Sequence, residues 1–217
     1  MLPLRRLACS VLLLTALAAP AAPPEAAPAA AVARPGIAEG QNHADYLAWL
    51  ARSPAARAQV LGFKSFLEIK GFENVVPTWQ LLRTASMWRE CNGPRFEVPS
   101  FVEWPHISNT LRFIDRHVEP VIGEVEVVSG FRNAELNRCS GGARESAHRR
   151  FHALDLVPVR DIGRDGMIRS ICAIHNFRGR DYDIGLGFYS GARFHIDSKS
   201  FRKWGPDGKG ATSPCNA

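Results

Sequence analysis

The stretch Ser146-Ala147-His148-Arg149-Arg150-Phe151-His152-Ala153-Leu154-Asp155-Leu156-Val157 changes character halfway along. Its first part is polar and carries two imidazoles; from Ala153 it becomes a short apolar strand interrupted by one carboxylate. An ionised aspartate on an apolar strand is costly to bury unless something positive or hydrogen-bonding meets it, and a metal ion meets it best. A partner is on offer in Arg193-Phe194-His195-Ile196-Asp197, where strand alternation puts His195 and Asp197 on one face and Phe194 and Ile196 on the other. A carboxylate and an imidazole on adjacent strands, completed by His148 from the preceding loop, make the N₂O set of a catalytic zinc with a fourth position left for water.

Outward from this segment, Val125 to Val128 alternates as a strand, Ser129-Gly130 breaks it, and a polar segment runs to Ser146. Met167, Ile168, Ile171 and Ile174 mark a helix, and Ile184 to Tyr189 with Arg193 to Asp197 forms a hairpin around Ser190-Gly191. Upstream, Ile107, Leu111, Ile114 and Val118 fall at helical spacing until Glu119-Pro120 ends the pattern, and Trp79 to Cys91 reads as a further helix. The order helix, strand, strand, helix, hairpin predicts an α+β domain over 78–217, with a small antiparallel sheet flanked by helices. Two more helical patterns, Ala44 to Arg52 and Ala55 to Lys70, form an N-terminal helical appendage over 37–77 with no chemistry of its own. His43, His106, His117 and His175 read as surface, capping or helix-end residues, and His152 as a neighbour of the site rather than a ligand.

Residues 1–18 carry Arg5 and Arg6, then an apolar run and small residues before a plausible cut, the pattern of a signal peptide; an uncleaved anchor is the alternative. Residues 19–36 are almost all alanine and proline and read as a disordered linker. The expected location is therefore across the inner membrane, periplasmic, with no stable membrane insertion after cleavage. The net charge of +6 includes Arg5 and Arg6, so loss of the signal leaves a mild +4, and the lysines and arginines are scattered, which favours an anionic wall surface and argues against nucleic acid. Beyond the signal, Cys91, Cys139, Cys172 and Cys215 suggest two disulfides, with three pairings open.

Ser146-x-His148 followed by Ala153-x-Asp155 resembles the motif of the zinc D-alanyl-D-alanine carboxypeptidases and related murein endopeptidases, which share a fold with the amino-terminal domain of hedgehog proteins. Ser129-Gly130-Phe131-Arg132 with Asn133 to Asn137 resembles the segment preceding that motif, and Gly185 to Tyr189, Phe194 to Asp197 and Trp204 resemble its carboxy-terminal hairpin. The resemblance spans about Thr78 to Trp204 and implies a hedgehog/DD-peptidase-like fold. It also implies Zn²⁺ on His148, Asp155 and His195, with Asp197 as an alternative third ligand. Arg132 would hold the substrate carboxylate or polarise the scissile carbonyl, beside Ser146 and Tyr189 as substrate-binding residues.

The implied activity is zinc-dependent hydrolysis of peptide bonds in peptidoglycan stem peptides or crosslinks, by a monomer acting on the murein peptide. The alternative is a non-catalytic zinc-containing wall-binding module. Two positions depart from the family pattern: Phe151 stands where many members have glycine, and Ala192 where many have the general-base glutamate. The proton carrier is accordingly expected to be Asp197, or else Asp183.

Overall fold

A computed structural model describes residues 36–216; the expected signal peptide and nearly all of the alanine- and proline-rich linker lie outside them. Among the described residues no helix is long and apolar enough to cross a membrane. Helices α1 (His43–Arg52) and α2 (Pro54–Lys70) come first. Ser53 caps α2 by accepting from the Ala56 N–H, Pro54 occupies its first turn, and Val60, Phe63 and Leu67 face inward. These residues share one apolar core with Leu81, Phe96, Ile107, Phe151 and Leu154.

The expected helix from Trp79 to Cys91 is reduced to α3 (Thr78–Leu81). The backbone beyond it is pulled extended: Arg83 pairs with Phe96 in an isolated bridge, while its buried side chain donates to the Gln41 and Val127 carbonyls and to Glu126. Helix α4 (Ser108–Phe113) continues through a π turn, Ile114–Val118, into α5 (Glu119–Ile122), so Pro120 does not end the helical path. The wider π turn before it absorbs the missing N–H and the ring of a proline in the first turn of α5. Helix α6 (Ala134–Cys139), capped by Asn133, and α7 (Arg164–Arg178) complete the α-helices among the described residues.

The strands are β1 (Val125–Ser129), β2 (Ala153–Pro158), β3 (Gly185–Phe188), β4 (Phe194–Asp197) and β5 (Arg202–Trp204), in the order β1-β2-β4-β3-β5. The first four pair antiparallel, but β5 runs parallel to β3, so the sheet is mixed rather than antiparallel as the sequence suggested. Register sorts the two faces. Leu154, Ile196 and Leu186 align across the sheet, as do Leu156, Phe194 and Phe188, all buried in the core. The opposite face carries Ser129, Asp155, His195, Gly187 and Trp204 in one continuous row. Gly187 is required there, because a Cβ would collide with the Trp204 indole.

Cys91 pairs with Cys139 and Cys172 with Cys215, which resolves the three open pairings. The first bond fixes the end of α6; the second ties α7 to the last turn, Pro214–Asn216.

The turn between His148 and β2 is closed by Phe151, which takes a left-handed backbone conformation (φ 54°) and is fully buried. Its ring lies 5.7 Å from Phe63 of α2 and 6.4 Å from Phe131. The chain thus keeps the backbone that glycine would adopt freely and offsets the local strain by packing an aromatic ring. Phe151→Ala is expected to lower stability by about 3–5 kcal/mol. Phe151→Gly should be the more stable of the two by about 1 kcal/mol, reversing the usual alanine-over-glycine order, as urea denaturation would measure.

Candidate metal centre

His148 sits in a 3₁₀ turn, Ala147–Arg150, and its Nδ1 lies 2.7 Å from the Gly130 carbonyl. A carbonyl only accepts, so Nδ1 carries the proton and Nε2 presents a lone pair. His195, on β4, has Nε2 at 2.8 Å from Asp197 Oδ2, and its Nδ1 points the other way, at Asp155. Asp155 Oδ1 is 3.0 Å from His195 Nδ1 and 3.3 Å from His148 Nε2, and the two nitrogens are 3.2 Å apart.

Ligand atoms at bonds of about 2.0–2.1 Å around a tetrahedral zinc are separated by about 3.3 Å. The three observed separations are those of one tetrahedral face, and the donor chemistry fits: one anionic oxygen and two imidazole nitrogens whose second nitrogens are held elsewhere. All three residues are buried. Among the described residues this is the one group of three or more potential ligands that could hold a metal ion.

The electrostatics follow from burial and neighbours. Burial, reinforced by the Arg132 guanidinium, pushes the His148 imidazole down to about 4 and keeps it neutral. Burial works against the Asp155 carboxylate, but the Arg132 guanidinium and the hydrogen bonds around it hold it well below the usual range. Burial likewise opposes protonation of His195, and the carboxylates of Asp155 and Asp197 overcome it and raise its pKa. Tyr189 is raised by burial and by Asp155, so its hydroxyl remains a donor, 3.0 Å from Asp155 Oδ1.

The sequence-predicted residues divide as follows. Arg132 reaches the centre, with one amino nitrogen 2.6 Å from Asp155 Oδ2 and 2.9 Å from His148 Nε2. Ser146, Tyr189, Arg132 and Trp204 line the adjoining cleft of about 620 Å³. Asp197 is not at the centre. It lies behind His195, fully buried, with its oxygens taken by His195, Arg202 and the Lys199 N–H. It can neither join His195 as a ligand nor reach a substrate as proton carrier; its place is to fix the tautomer and tilt of the imidazole. Asp183 occupies an exposed left-handed turn after Gly179–Tyr182 and is absent from the cleft lining. His152 stacks on His106 at 4.4 Å, apart from the ligand group.

Two residues escaped the sequence reading. Arg193 donates to Asp155 Oδ2 at 2.6 Å; no motif announces an arginine two residues before a ligand histidine. Glu145 is the one acidic residue lining the cleft, alongside the basic Arg132, Lys199 and Arg202, and its spacing, Glu145-x-x-His148, was visible in the sequence.

Replacing Asp197 with asparagine should weaken zinc binding or activity by about 10–100-fold, because an amide can present its NH₂ to His195 and no longer enforces the tautomer. Chelator competition would measure the affinity; unchanged affinity together with unchanged activity would contradict the role.

The Peptidase M15 family profile matches residues 99–197. No curated protein and no solved structure matches the chain. The matched segment begins after α3, ends at Asp197, and contains His148, Asp155 and His195 entire. That segment, with the whole candidate ligand group inside it, is similar to the Peptidase M15 family.

Proposed function

We propose that this protein is an exported, monomeric zinc peptidase that cleaves stem peptides or crosslinks of murein, with preference for bonds next to D-amino acids. The observation that carries the reading is the tetrahedral-face spacing of His148 Nε2, Asp155 Oδ1 and His195 Nδ1. The murein substrate is supported by the ordered motif resemblance and by the cleft, whose side chains include Arg132, Lys199 and Arg202 against the single carboxylate of Glu145. Such a cleft favours a peptide bearing free carboxylates.

His148, Asp155 and His195 would hold a zinc ion, which would supply a water of pKa about 7 and polarisation of the scissile carbonyl. The protein's own groups supply the rest. Arg132, fork-shaped and always charged, pairs with a substrate carboxylate. The Tyr189 hydroxyl, kept protonated, donates to Asp155 Oδ1 and steadies that carboxylate beside the cleft. Trp204, 5.2 Å from Tyr189 and 5.4 Å from His195, gives the substrate an aromatic wall. Glu145 takes the proton from the attacking water and returns it to the leaving amine, the role that neither Asp197 nor Asp183 can reach.

The position of those two aspartates also favours a second reading, a zinc-containing module that binds murein without hydrolysing it. Purified protein is expected to hold about one zinc per chain and to release products from defined muropeptides, followed by mass spectrometry. Glu145→Gln should keep its zinc and lose about 10²–10⁴ in kcat. Metal-loaded wild type that binds murein and cleaves no muropeptide would decide for the module.

A further inference from the structure

Asp155 is held by two guanidinium groups, and they are not equivalent. Arg132 and Arg193 each place an amino nitrogen 2.6 Å from Oδ2, while Oδ1 faces the two imidazoles and the Tyr189 hydroxyl. The same nitrogen of Arg132 also lies 2.9 Å from His148 Nε2, the lone pair identified above by the Nδ1 bond to Gly130. One lone pair can accept an N–H or bind a cation, not both. Arg132 is therefore in competition with any metal at His148. Its Nε is tethered only to the Ser129 hydroxyl at 3.0 Å, and it lines the substrate cleft.

Arg193 touches neither imidazole. Its other amino nitrogen donates to Ser86 Oγ at 3.0 Å, its guanidinium lies 4.9 Å over the Tyr189 ring, and it lines a neighbouring cavity rather than the cleft. It is held on three sides, by Asp155, Ser86 and the Tyr189 ring.

Resting on the zinc-peptidase reading, we propose that Arg193 is the fixed positioning residue of Asp155, holding Oδ2 so that Oδ1 faces the metal. Arg132 is then the exchangeable partner, which leaves His148 on metal loading and turns to the anionic substrate. Two cations on one carboxylate oxygen would be redundant if both stayed. With Arg193 in place, Asp155 keeps a charged hydrogen bond after Arg132 withdraws, and the buried carboxylate is never left with imidazoles alone.

The test uses the full chain with Arg193→Met, Arg193→Lys and Arg132→Met, measuring zinc dissociation constants by chelator competition and kcat and KM on a defined muropeptide. Arg193→Met should bind zinc at least tenfold more weakly. Arg132→Met should bind it as tightly as wild type or more tightly, with its defect in KM. Arg193→Lys, which keeps the charge but cannot reach Asp155 and Ser86 together, should fall between and guards against a methionine variant that fails to fold. Equal zinc loss in the two methionine variants, or wild-type affinity in Arg193→Met, would overturn the assignment. Wild type that binds zinc but cleaves nothing would refute the proposed function while the order of affinities still judged Arg193; wild type that binds no zinc would refute both.

Discussion

One buried carboxylate organises this molecule. Asp155 has no exposed surface, sits in the middle of the sheet, and stays ionised. An isolated charge there would be prohibitive, so the fold must deliver donors to it from wherever the chain can. It does so from three places: the loop after β1 supplies Arg132, β4 with its leading residue supplies His195 and Arg193, and the residue after β3 supplies Tyr189. The architecture around the site is in large part the set of connections that lets those segments meet.

The sheet supplies the precision. Ser129, Asp155, His195, Gly187 and Trp204 form one cross-strand row, so spacing within the centre is set by interstrand distance rather than by flexible loops. Side chains outside the ligand group then fix rotation. Asp197, two residues along β4, grips His195 from behind and is itself clamped by Arg202 at the start of β5. Gly185, opposite Asp197, has no Cβ because one would collide with that carboxylate and guanidinium. Each functional atom is thus oriented by a group that is oriented in turn.

Much of this was legible in the sequence because it rests on local pattern. A lone aspartate in an apolar strand and an alternating His-x-Asp strand both announce themselves by period, and their burial and shared face follow. The ordered motifs carried the α+β class and the pairing of distant segments. What stayed hidden depends on direction or on long-range contact. Alternation puts Asp197 on the same face as His195 but cannot say that it lies behind the ring. Arg193 is just another basic residue until Ser86 and Asp155 are seen beside it. The parallel strand β5 is three residues long and has no pattern to read, and the turn closed by Phe151 looks broken until the ring is seen packed on Phe63.

That last contact shows why the segment carrying the candidate ligands is not the whole of the candidate site. Residues 99–197 contain His148, Asp155 and His195, yet what holds them in register comes from both sides of that span. Phe63, from α2, supports the left-handed turn that delivers His148; Ser86 anchors Arg193; Arg202 and Trp204 fix Asp197 and the wall beside His195. A metal centre at this site would demand placement within a few tenths of an ångström, and that placement would rest on side chains that bear no chemistry of their own. The two N-terminal helices, silent in any search for reactive residues, therefore contribute to the site through a single aromatic contact, and the core they share with the sheet makes the stability of that turn their contribution to function.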